Sequence, residues 1–276
     1  TYECVFDSGG DNPPDGGDPN AGGSTGGDGT GNSSGNTNIA SLTSPVGKKV
    51  GAASNETDNC KSLKDLRKTD SLSLNIKSII DQLRLKTNEK EEWYQEVKRQ
   101  FGETDYETFL VSGGIKKGVN DKKSKFTTGI FYIGVIHTHP EGKKPMFSWT
   151  DLQAVREIYR EVGAFGKDHV FNICVNHNGT VYALKVDDYE ALNAKIESDW
   201  ANARGNNDVK KRKNIEYELG KAYKNDDNIE RAFLRKFKNH GISLYKAADE
   251  NISNWNKLEL DNPNSRNSEV NILPCN

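Results

Sequence analysis

Residues 127–136 read TTGIFYIGVI, a run that is β-branched, aromatic or apolar at nearly every position. A strand with one wet face alternates, so an unbroken run of this kind reads as a central strand covered on both sides. That requires neighbouring strands and helical layers around it. Shorter strands are expected at 92–98 and 108–112. Two more, at 170–175 and 180–186, flank Asn178-Gly179, a dipeptide favoured at tight hairpin turns. Between them, Leu152, Val155, Ile158, Tyr159 and Val162 follow the 3.6-residue period, which predicts an amphipathic helix over 149–165. Further helices are expected within 62–84 (one or two) and at 189–203, 209–223 and 228–239, the last ended by Gly241. Residues 242–245 read as a short returning strand. The pattern predicts an α/β or α+β fold with a mixed sheet.

The chain of 276 residues does not share one composition. Residues 1–35 hold 11 of its 26 glycines, and six acids (Glu3, Asp7, Asp11, Asp15, Asp18, Asp28) precede the first basic residue, Lys48. The stretch 8–38 contains no apolar residue larger than Ala21, so it cannot bury enough surface to offset its ordering entropy. It is expected to be a flexible acidic spacer, which divides the chain into a Gly-rich linker at 1–58, a core at 59–187 and a helical C-terminal extension at 188–276 packing on that core. The chain starts at Thr1 rather than Met, consistent with an upstream anchor or domain being absent. No segment approaches the roughly 20 apolar residues a membrane span needs. A net charge of -2 gives no general pull toward nucleic acid. The basic run Lys210-Lys211-Arg212-Lys213 reads as a solvated helix face, diluted by Glu216 and Glu218.

The four cysteines, Cys4, Cys60, Cys174 and Cys275, form no CxxC pair, which argues against a zinc knuckle or a thioredoxin-type site. Cys60 and Cys275 lie at the two margins of the expected globular part. Their positions suggest a disulfide formed in an oxidising compartment, with four free thiols as the alternative.

The central run leads directly into His137-Thr138-His139-Pro140. Residues two apart on a strand project to one face, so the two imidazoles can converge on one ion. Ser148-Trp149-Thr150-Asp151 then stands at the mouth of the amphipathic helix and brings a carboxylate within a short loop. Two imidazoles, one carboxylate and a fourth position open to water make the ligand set of a catalytic zinc. His137, His139 and Asp151 are therefore the candidate ligands of one Zn2+. Each fragment also has a plainer reading. Ser148-x-x-Asp151 resembles a capping box, which is compatible with a metal role. His169, His177 and His240 have no partner at ligand spacing.

HxHP, a loop and SxxD after an apolar strand resemble the JAMM motif of the JAB/MPN metallopeptidases. The match covers about 15 residues, with one more residue between His139 and Ser148 than the family usually has. The resemblance implies an MPN/cytidine-deaminase-like sheet and a zinc-dependent hydrolase that cleaves a peptide or isopeptide bond. His137, His139 and Asp151 would hold the zinc, and Ser148 would help hold the oxyanion. The family's general base is a glutamate on an earlier strand. Glu92 is the choice here, with Glu91, Glu96, Glu103 and Glu107 as alternatives. The Gly-rich spacer and the Cys-bounded domain also resemble bacterial secreted or cell-surface proteins carrying such a domain. The rival readings are a non-catalytic MPN-like binding scaffold and an exported toxin-like effector.

Overall fold

The computed structural model describes residues 4–5, 54–66, 76–101, 107–118 and 125–275. In chain order its elements are β1 (Cys4–Val5), α1 (Ser54–Asp65), α2 (Ile76–Arg84), β2 (Trp93–Phe101), β3 (Glu107–Lys117), β4 (Lys125–Phe126) and β5 (Tyr132–His139). There follow α3 (Trp149–Glu161), a 3-10 helix (Ala164–His169), β6 (Phe171–Asn176), β7 (Val181–Val186), α4 (Tyr189–Asn202), α5 (Asp208–Lys224) and α6 (Ile229–Lys236). The last three elements are β8 (Ile242–Ala247), β9 (Trp255–Leu260) and β10 (Val270–Pro274). The spacer stretch 8–38, and most of the linker expected over 1–58, lies outside the described residues. Helix α1 begins inside that linker, five residues ahead of the expected start of the core.

Eight strands form one mixed sheet in the order β10-β9-β8-β7-β6-β5-β2-β3. Its single parallel pair is β5 with β6; every other neighbouring pair is antiparallel. A parallel pair needs a crossover, and α3 with the 3-10 helix provides it. β5 is buried from Ile133 to His139, on both faces, as the lack of alternation predicts. Fully buried side chains such as Val135 and Ile136 contribute about 1.5–3 kcal/mol each.

The start of β5 differs from expectation. Tyr132 N–H bonds back to Gly129 O at 3.0 Å, and Gly129 sits at φ 155°, which closes a turn and leaves Ile130 and Phe131 exposed. The strand therefore begins at Tyr132 and runs through both histidines, so His137 and His139 belong to its rigid, hydrogen-bonded part. Pro140, which has no N–H to continue the ladder, follows directly. The hairpin at Asn178-Gly179 is present, with Gly179 at φ 84°.

The region 188–276 corrects the expectation of a helical extension. After α4, α5 and α6 the chain returns as β8, the short strand expected at 242–245, and then adds β9 and β10 to complete the same sheet. Alternation is weak there because β9 buries Trp255 on one face and Leu258 on the other, with polar residues between them. β10 lies at the sheet edge, where Pro274 is tolerated. The chain end is fastened by a Cys60–Cys275 disulfide, with Cα atoms 5.3 Å apart, so α1 and β10 are covalently joined.

Candidate metal centre

β5 presents His137 and His139 on one face. The loop after Pro140 carries the chain to α3, whose first turn holds Asp151. Ser148 is the N-cap of α3: its Oγ accepts from Asp151 N–H (3.2 Å), and the Asp151 carboxylate accepts from Ser148 N–H (2.6 Å). This reciprocal capping box exists because SxxD precedes the helix. It also orients the carboxylate. Oδ2 takes the Ser148 hydroxyl as well, at 2.8 Å. Oδ1 is buried, makes no hydrogen bond, and lies 3.2 Å from His137 Nε2.

The three predicted ligands converge. The two histidine Nε2 atoms are 3.3 Å apart, and Asp151 Oδ2 is 3.5 Å from His139 Nε2. Donors bonded at about 2.0–2.1 Å to one tetrahedral ion lie about 3.3 Å from each other, so these separations suit a zinc-sized cation. His139 Nδ1 faces Lys144 O at 2.9 Å. That carbonyl can only accept, so Nδ1–H is the donor and Nε2 is the ring nitrogen turned toward the site. All three side chains are buried, with His137 at 0%, His139 at 5% and Asp151 at 1% exposure. Burial opposes the charge on Asp151, but the two histidines hold its carboxyl well below the usual range. The donor set and spacing thus fit a divalent cation.

Glu92 stands just ahead of β2, and its carbonyl accepts from Gly118 N–H at 2.8 Å. β2 is antiparallel to β5 with Tyr94 opposite His137, so stepping back two residues brings Glu92 level with His139 on the same face. The Glu92 side chain is buried at 7% exposure. Glu91 takes the other parity and pairs with Lys117 at 3.0 Å. Glu96 shares the parity of Glu92 but is engaged by Lys116 Nζ (2.9 Å) and Thr127 N–H (2.5 Å). Glu103 lies outside the described residues. Glu107 is on β3, one strand further from the histidines.

Two features of the site were not read from the sequence. Cys174, inside the strand expected at 170–175, lies on β6 directly beside His137 in the parallel register. It is a buried free thiol, and with His137 and His139 it forms a buried group that could hold a metal ion, the ligand atoms all within 4.8 Å of one another. Burial, then the charges of Asp151 and Glu92, push this thiol well up. The other feature is the hold of the C-terminal helices on the first turn of α3. Glu216 on α5 accepts from Trp149 N–H (3.2 Å) and Thr150 N–H (2.9 Å). Tyr223 donates to Phe147 O at 2.7 Å, and Trp149 Nε1–H donates to Asp199 at 3.1 Å. Glu216 therefore faces inward and does not dilute a basic surface. Burial pushes its carboxyl up to about 8, against the pull of those amides. No signal local to residues 208–224 could have announced this, because the partner lies more than sixty residues away.

No protein-family model, curated protein or solved structure matches the chain.

Proposed function

We propose that this chain is a zinc-dependent hydrolase of the JAB/MPN type, cleaving a peptide or isopeptide bond in an extracellular setting. The observation that carries the reading is the convergence of His137 Nε2, His139 Nε2 and Asp151 at 3.2–3.5 Å, buried and with Asp151 Oδ1 in no hydrogen bond. His137, His139 and Asp151 would hold the ion. Zinc, when bound there, would acidify water and polarise the scissile carbonyl. Glu92, level with His139, accepts the proton of the attacking water and returns it to the leaving amine. Ser148 fixes the Asp151 carboxylate and stands beside the reacting centre, where its hydroxyl can turn to the oxyanion. The disulfide supports an oxidising compartment.

The test is metal analysis of the purified protein, followed by turnover of a panel of fluorogenic peptides and isopeptide-linked conjugates. One zinc per chain is expected, lost in the His137→Ala/His139→Ala double variant. Glu92→Gln should keep the metal and lose hydrolysis by at least about 100-fold, the usual scale of general-base catalysis. Glu91→Gln should match wild type. Full zinc occupancy in the double variant would refute the assignment. Metal without turnover on any substrate would favour the binding scaffold.

A further inference from the structure

We propose that Cys174 is a fourth donor to the ion held by His137, His139 and Asp151, so that the resting site carries a thiolate where an active hydrolase holds water. This rests on the zinc reading above and adds a regulatory state to the same site.

Three observations carry it. The β5–β6 register sets Cys174 beside His137, and both are fully buried, so the sulfur competes with no bulk solvent for the position. The sulfur and the histidine ligand nitrogens all lie within 4.8 Å of one another. On one tetrahedral zinc, a sulfur at about 2.3 Å and a nitrogen at about 2.0–2.1 Å are about 3.5 Å apart. Bringing the sulfur that close to the histidine nitrogens takes a shift of at most about 1.3 Å, less than the ~3 Å a cysteine sulfur sweeps between staggered wells. Finally, Asp151 Oδ1 is buried without a hydrogen bond and turned toward the same histidine, an independent sign that this pocket is built for a cation.

The thiol also has a place to go when it is not bound. Cys174 Sγ–H donates to Asn176 Oδ1 at 3.2 Å. Asn176 is anchored independently, its Nδ2 donating to Thr180 O (3.1 Å) and Thr180 Oγ1 (3.2 Å). The carboxamide therefore stays put whether or not the thiol points at it. Binding exchanges the S–H bond for a metal–sulfur bond and releases one proton; withdrawal takes a proton back and opens the fourth position to water. No electrons are transferred. The site would then have a closed state, with thiolate on the metal, and an open state, with the thiol on Asn176.

Cobalt(II) is the probe, because a thiolate ligand gives a sulfur-to-cobalt charge-transfer band in the near ultraviolet that nitrogen and oxygen ligands do not. Chelator-stripped protein is titrated with cobalt. Wild type should bind one equivalent with visible tetrahedral bands and the charge-transfer band. Cys174→Ser should keep the visible bands, lose the charge-transfer band and bind at least about tenfold more weakly, and Cys174→Ala should do the same if serine perturbs the fold. Wild-type binding without the charge-transfer band, or a band that survives in both variants, overturns the thiolate while leaving the zinc reading in place. Failure of wild type to bind cobalt overturns both.

Discussion

Single side chains in this protein are governed by how burial sets their charge. Lys185, on β7, is 1% exposed and donates to Ser62 Oγ (3.0 Å) and Asp168 O (2.8 Å). Burial pulls its ammonium down to about 7, partly offset by Asp168 and Asp187. An unfolded lysine titrates near 10.4, so between about pH 7 and pH 10 the unfolded chain binds more protons than the folded one. Below pH 7 both states carry the charge and the folded state bears the full burial cost. Stability should accordingly rise with pH across that window, by up to about 1.4 kcal/mol per pH unit from this residue. Urea denaturation of wild type and Lys185→Met at pH 7.0 to 9.5 checks it: the difference between the two should change steadily with pH. A constant difference would mean that Lys185 titrates normally.

Among the elements, α3 matters most, because its first turn holds Asp151 and its start is fastened at several points. The capping box is local, but Glu216, Tyr223 and Asp199 reach it from α4 and α5. Glu216→Ala would leave two first-turn amides without their acceptor and should cost about 1–3 kcal/mol. It should also weaken zinc binding about tenfold or more, since groups that orient a metal ligand commonly carry that much affinity. Glu216→Gln keeps an acceptor and should lose little of either. Thermal melting together with a competitive zinc titration reads both quantities. Loss of stability with unchanged zinc affinity would show that α5 braces α3 without positioning Asp151.

At the scale of the whole molecule, one sheet runs from β3 to β10, and the disulfide ties α1 to the end of β10, closing a loop with a sequence separation of 215 residues. In the chain-entropy description a loop of that length contributes about 5 kcal/mol, so Cys60→Ser should lower the unfolding free energy by up to that amount in denaturant titration. A loss under about 1 kcal/mol would mean that α1 and β10 are held by packing alone. The features legible beforehand are those written over short stretches: the run of β5, the apolar stripe of α3, the Asn-Gly hairpin, the two histidines on one strand face and the serine-to-aspartate cap. Each depends on contacts between residues a few positions apart, where periodicity and turn chemistry are encoded directly. The features that only the tertiary structure decided all involve a choice of distant partner. They are the pairing of β6 that brings Cys174 to His137, the inward turn of Glu216, the parity that separates Glu92 from Glu91, and the addition of β9 and β10 beyond the returning strand expected at 242–245. A pairing partner is selected by the burial available across the finished sheet, and no window of neighbouring residues contains that information.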